Sequence, residues 1–205
     1  MNSRLTLLIS FLLISGIGFS QEFRVGALAG INASQVSGDS YGGFDKAGLL
    51  IGLYSNAYLS EKFDLQFEIN YSEKGSRKNP KTSKGDTDFF LLRMNYIEVP
   101  LMLRYHKKKF TYEGGVFLSQ LVSDYLEDEN GVGQVDPNLN QLKKQDFGVL
   151  IGLNYNFTDH LIMNWRLNSS VIPFRDHDSG GRFQFKSGLY HHYLSFSLRY
   201  EFFGR

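Results

Sequence analysis

Between Asn95 and Tyr105 the chain reads Asn-Tyr-Ile-Glu-Val-Pro-Leu-Met-Leu-Arg-Tyr, with Ile97, Val99, Leu101, Leu103 and Tyr105 apolar at every second position and Glu98 and Arg104 on the other parity. A period of two specifies a β-strand with two unlike faces. The same alternation marks eight segments: Glu22–Gln35, Ala47–Leu59, Phe63–Lys74, Phe89–Tyr105, Phe110–Leu121, Gln145–Phe157, Leu161–Phe174 and Leu189–Phe203. The third is the cleanest, with Phe63, Leu65, Phe67, Ile69 and Tyr71 alternating with Asp64, Gln66, Glu68, Asn70 and Ser72. In the fifth, Phe117 breaks the pattern. Pro100 removes a ladder donor inside a strand and predicts a bulge or kink there.

The connections alternate in length. Ser60–Lys62, His106–Lys109 and Thr158–His160 are tight turns, whereas Val36–Lys46, Gly75–Asp88, Val122–Lys144 and Arg175–Gly188 are long loops rich in Gly, Asp, Asn and Ser. Folding about the turns sets Gly152 opposite Arg166, Gln66 opposite Asn56 and Arg104 opposite Thr111, so polar faces meet polar faces. This grammar predicts an all-β fold: an eight-stranded antiparallel up-and-down barrel crossing the outer membrane, with both termini in the periplasm. A soluble lipocalin-like barrel shows the same alternation with its apolar face inward. Glycine separates the two, because Gly26, Gly30, Gly48, Gly52, Gly115, Gly148 and Gly152 all fall on the polar face. Solvent-facing glycines would only weaken strands, whereas in a narrow polar lumen they make room for Arg and Glu side chains. Aromatics gather at both ends of the apolar face, with Tyr105, Tyr112, Tyr155, Phe157, Tyr200 and Phe202 at the turn end and Tyr71, Phe89, Phe147 and Tyr190 at the loop end. Two interfacial girdles are expected there.

The amino terminus adds the compartment. Arg4 is the only charge before Glu22, Leu5–Phe19 is apolar or small, and Gly18 and Ser20 suit a signal peptidase. Residues 1–20 therefore read as a cleaved secretory signal and 21–205 as the barrel domain. Without Arg4 the basic residues equal the 21 acidic ones, so no global charge points to nucleic acid. There is no cysteine, which removes disulfides and thiolate chemistry. The last segment offers Leu194, Phe196, Leu198, Tyr200 and Phe202 as an insertion signal for the barrel assembly machinery, and outer-membrane lipid is the expected surrounding.

Eight strands leave an interior just wide enough for side chains, so Glu68, Glu98, Arg104, Glu113, Arg166, Arg199 and Glu201 are expected to form a lumen charge network. Arg104 is expected to pair with Glu113, and Glu68, Glu98 and Arg166 to group at mid-depth. No catalytic, cofactor or metal set emerges. Asp176, His177 and Asp178 are adjacent in a Gly-rich loop and read as a solvated turn. His191 and His192 point to opposite faces and cannot chelate one ion together. His192, on the lipid side near the loop end, would with a nearby Ser make the dyad of a lipid-modifying enzyme, although the spacing identifies no such Ser. Glu127-Asp128-Glu129-Asn130-Gly131 fails as a calcium loop, since aligning its glycine puts Leu126 at the first ligand position and Pro137 at the last.

Tyr-Ile-Glu-Val-Pro-Leu-Met-Leu-Arg-Tyr (Tyr96–Tyr105), Gly-Ile-Asn-Ala-Ser-Gln (Gly30–Gln35) and Glu-Ile-Asn-Tyr-Ser-Glu-Lys-Gly (Glu68–Gly75) resemble the PorT-type outer-membrane β-barrel family of Gram-negative bacteria. The resemblance covers nearly all of residues 21–205. It implies a porin-like barrel fold and an outer-membrane location, with one branch implicated in type IX secretion, and it carries no catalytic residues. The expected function is that of a non-catalytic envelope protein with a packed lumen, acting through its long loops on an envelope or secretion partner. Arg77, Lys78, Lys81 and Lys84 on one loop and Asp124, Glu127, Asp128 and Glu129 on another are the candidate contacts, unless the two loops merely neutralise one another. A small-solute channel and a lipid-modifying enzyme are the alternatives.

Overall fold

A computed structural model describes residues 23–37, 43–80, 85, 88–128, 131–132, 142–178 and 187–202. The strands are β1 (Phe23–Ser37), β2 (Lys46–Tyr58), β3 (Phe63–Lys78), β4 (Phe90–Lys107), β5 (Phe110–Asp128), β6 (Gly131–Val132), β7 (Gln145–Asn156), β8 (Leu161–Ser170), β9 (Arg175–Asp178) and β10 (Ser187–Glu201). Among the described residues, eight of these pair in the order β1-β2-β3-β4-β5-β7-β8-β10, and β10 pairs back onto β1 to close an antiparallel ring. β6 and β9 are short strands at the loop end, added to β5 and β10. Closure gives every spanning strand a hydrogen-bonded neighbour on both sides, as hydrocarbon requires.

The two faces divide as the alternation dictates. Ile31, Leu53, Ile69, Leu118, Ile151 and Leu198 lie on the exposed outer face, whereas Asn32, Asp64, Glu68, Lys74 and Arg199 are buried inside. At the turn end the outer aromatics touch one another: Phe63 meets Tyr105, Tyr105 stacks on Tyr112, and Phe110, Tyr155 and Phe157 form an edge-to-face series. At the loop end Tyr71, Phe89 and Phe147 stay half-buried, but Tyr190 is buried. Tyr190 therefore does not join the outer girdle.

Four expectations need correction. The turn after β4 is the pair Lys108–Lys109, closing Lys107 onto Phe110 with Lys108 at φ 57°, so Arg104 stands opposite Glu113 and not Thr111. Pro100 makes no bulge: the β3–β4 ladder lapses beside it and resumes in the same register. The bulge lies where Asn95 pairs with Ser123 and Tyr96 with Leu121, leaving Val122 extra. Beyond it, β5 continues to Asp128 and β3 to Lys78, so Arg77, Lys78, Asp124, Glu127 and Asp128 lie on strands and not on loops. The bulge shifts the parity of β5, and a strict period of two is lost at that point. Residues 1–20, Lys81, Lys84 and Glu129 lie outside the described residues.

Candidate functional site

The lumen is filled in layers. Nearest the turn end, Arg104 donates from Nε and Nη2 to the two Asp64 carboxylate oxygens at 2.6 and 2.7 Å, and His106 Nε2 sits 2.6 Å from Asp64 Oδ2. Arg24 meets Glu201 at 3.2 Å. A polar pocket of about 200 Å³ opens beside Arg104, Thr111, Asn154 and Glu201.

Further in, Arg166 donates to both oxygens of Glu68 at 3.0 and 3.1 Å and through Nε to Glu113 at 2.8 Å. Arg199 adds a contact to Glu68 at 3.0 Å and one to Glu113 at 3.9 Å. Asn154 and Asn164 donate to Glu113 at 2.8 and 2.9 Å, while Gln66 and Asn70 donate to Glu68. Two carboxylates thus balance two guanidinium groups, which is how ionised groups survive burial. Gly152 makes the cluster possible, because a Cβ there would lie 2.5 Å from Glu113 Oε1.

Above this sits Lys74, fully buried, 2.5 Å from Glu98 and 3.7 Å from Asp146, with its ammonium 4.4 to 4.9 Å from the ring centres of Tyr193, Phe117 and Tyr96. Phe117 breaks the sequence pattern because it points inward: Gly148 leaves the space, and a Cβ at Gly148 would stand 2.2 Å from Phe117 Cζ. At the loop end Val36, Leu92, Met94, Tyr96, Phe174 and Leu189 form a buried apolar cluster. Phe174 leaves the strand line after β8 and stacks on buried His191 at 4.1 Å. Its backbone is tied by Phe174 N–H to Leu189 O at 3.0 Å.

All seven residues of the expected network have buried side chains, but their partners differ from expectation. Arg104 pairs with Asp64, because Glu113 is committed to Arg166. Glu98 is not part of the Glu68–Arg166 group; it accepts from Tyr193 at 2.7 Å and Ser119 at 3.0 Å beside Lys74. Sequence reasoning left Arg24, Asp64, Lys74 and Asp146 out of the network, although each occupies a polar-parity position that a longer parity count reaches. Asp176, His177 and Asp178 lie in β9. Among the described residues no group of three His, Cys, Asp or Glu has metal-binding geometry. On the outer wall, His192 meets a serine: Ser169 Oγ is 3.0 Å from His192 Nδ1.

Residues 19–176 match the family model described as outer membrane protein beta-barrel domain. The chain belongs to that family. Family membership, the closed ring and the apolar outer face place this barrel in the outer membrane. Among solved structures, Neisserial surface protein A is 16% identical, with a TM-score of 0.52 over 88% of this chain and 97% of that one. Ail, the attachment invasion locus protein of Yersinia pestis, solved with the heparin analogue sucrose octasulfate, is 11% identical, with a TM-score of 0.51 over 88% of this chain and 99% of that one. These identities show a shared barrel fold alone. Among curated proteins, none matches the chain.

Proposed function

We propose that this outer-membrane barrel is a docking protein of the cell envelope whose lumen neither conducts nor catalyses, and whose binding face is built from β3, β4 and β5 where they project past the ring. One observation carries the reading. β3 pairs with β2 only as far as Ser72 and β5 with β7 only as far as Gln120, yet the β3–β4–β5 ladders run on to Lys78, Phe90 and Asp128. From Gln120 to Asp128 this is roughly 25 Å of strand beyond the β5–β7 ladder, its inner side packed on the cluster of Leu92, Met94 and Phe174 and Ser123 to Tyr125 exposed. Arg77 and Lys78 lie along the β3 side of this blade and Asp124 and Glu127 along the β5 side, with β4 between them. An intervening strand separates the two rows by roughly 10 Å, so they do not pair directly with each other; Lys78 is held by Asp88 at 2.7 Å and Glu127 accepts from the Tyr125 hydroxyl at 3.1 Å. Arg93, on β4, is held by Glu73 at 3.1 Å and lies over the Tyr125 ring.

The loop end faces outward and both termini face the periplasm, as short turns and long loops divide in such barrels. The sequence resemblance at Tyr96–Tyr105 supports the narrower assignment to a PorT-type, type IX secretion-associated protein. A small-solute channel is disfavoured by the filled lumen and the buried apolar cluster around Phe174. Crosslinking in intact cells tests the docking reading with the wild type, R77E/K78E and D124K/E127K. Capture of the same partner should fall in at least one charge-reversed variant. Unchanged capture by both, with each barrel still heat-modifiable on SDS gels, rejects the blade as the docking face.

A further inference from the structure

The outer wall is apolar along the spanning strands, but near the loop end three polar side chains stand in one cross-strand row. Gln35 of β1 pairs in register with His192 of β10, and His192 pairs with Ser169 of β8. All three are half-buried and belong to the outward parity of their strands. Ser169 Oγ and His192 Nδ1 are 3.0 Å apart, within hydrogen-bond reach for a hydroxyl donating to an imidazole nitrogen. Gln35 Oε1 accepts the Gly43 N–H at 3.2 Å, which commits its oxygen and leaves its amide NH2 as the donor on this side of the wall. The row borders a groove of about 550 Å³ whose apolar wall includes Phe44, Val149, Ile151 and Leu167.

Position in the membrane gives these groups a common substrate. Ser169 is one residue from the end of β8, and Gln35 is close to the end of β1, so the row sits at the loop-end membrane interface. There the ester carbonyls of lipids meet water, and acyl chains run along the apolar wall. We infer that Ser169, His192 and Gln35 form a serine esterase site for acyl esters of membrane lipid, with the groove holding the acyl chain. The site is separate from the docking blade, which lies on β3 to β5.

The chemistry balances with water as the co-reactant. Ser169 Oγ bonds to the ester carbonyl carbon while its proton passes to His192 Nδ1, the other ring nitrogen carrying the imidazole proton. The Gln35 amide donates to the developing oxyanion. The carbon–oxygen bond to the lipid alcohol then breaks, and His192 returns the proton to that oxygen. Water attacks the acyl-serine and gives a proton to His192, which passes it to the departing Ser169 Oγ, so that the bond to the acyl carbon breaks and the serine hydroxyl and neutral imidazole are restored. The products are a free fatty acid and a lipid lacking one acyl chain, with no change in oxidation state.

The full-length barrel in vesicles tests the assignment with a fluorophosphonate probe, mass spectrometry of the labelled peptide and measurement of released fatty acid. The probe should label Ser169. H192Q should slow labelling about a hundredfold or more, the scale of a lost general base. Q35L should slow release about a hundredfold, as loss of an oxyanion donor does. Vesicles of phosphatidylethanolamine alone, or of phosphatidylethanolamine with lipopolysaccharide, separate a glycerolipid ester from a saccharolipid ester, and acid released from either supports the site. Heat-modifiability of S169A and H192Q checks folding, which surface substitutions leave intact. Absence of Ser169 labelling, labelling without release from either lipid, or release that persists in S169A would overturn the proposal.

Discussion

Replacing Arg166 by Met tests whether the lumen is a dry, charge-balanced core. Glu68, Glu113, Arg166 and Arg199 form a set of two negative and two positive groups, all nearly inaccessible. R166M keeps most of the aliphatic stem but removes three hydrogen bonds of 2.8 to 3.1 Å and leaves two carboxylates facing one guanidinium. Charged hydrogen bonds contribute about 1.5–3 kcal/mol each, but Asn70, Asn154 and Asn164 continue to donate to the stranded carboxylates. The net expected cost is therefore about 3–5 kcal/mol, that of breaking a buried pair. Urea unfolding in vesicles reads it, with the single tryptophan, Trp165 on the outer face beside Arg166, as fluorophore and resistance to SDS without boiling as a second probe. E113Q/R166M removes one charge of each sign and leaves Glu68 paired with Arg199. The double variant should lose at least about 1 kcal/mol less than the two single costs added together. An R166M cost below about 1 kcal/mol, or strict additivity, would refute a dry balanced cluster and indicate a lumen wet enough to solvate its charges.

Further expectations address the other layers. D64N leaves Arg104 buried without its carboxylate and should cost about 3 kcal/mol in the same urea assay. G148A drives a methyl group into Phe117 and into the Ser169 carbonyl oxygen, and should cost about 1–3 kcal/mol, with F117L in the same chain recovering part of the loss by vacating the ring's share of the clash. Purified barrel in a planar bilayer should show no stable ohmic conductance; steady single-channel steps would contradict the filled lumen and the buried apolar cluster around Phe174.

Parity was legible in the sequence because side chains alternate strictly along a strand, and a membrane barrel gives each face one solvent: lipid outside, packed side chains inside. That rule was enough to assign the inward face of Glu68, Glu98, Arg166 and Arg199, the outward face of Leu53 or Ile151, and the turn-end aromatic girdle. It also placed the short turns to within two residues, with the one after β4 narrowed to Lys108–Lys109, and so gave the order of the strands they join. Partner choice was not legible, because it depends on stagger across the ring and on strands joined through long loops. Arg104 has a carboxylate on each side, Asp64 on β3 and Glu113 on β5, and takes Asp64 only because Arg166 reaches Glu113 from β8. Ser169 meets His192 for the same reason, since the segment between β8 and β10 leaves their register open until the barrel closes. The bulge at Val122 hid the blade by changing parity mid-strand. The sequence determined which way each side chain faces; only ring closure decided which side chains meet, because depth in a tilted barrel is a property of all the strands together.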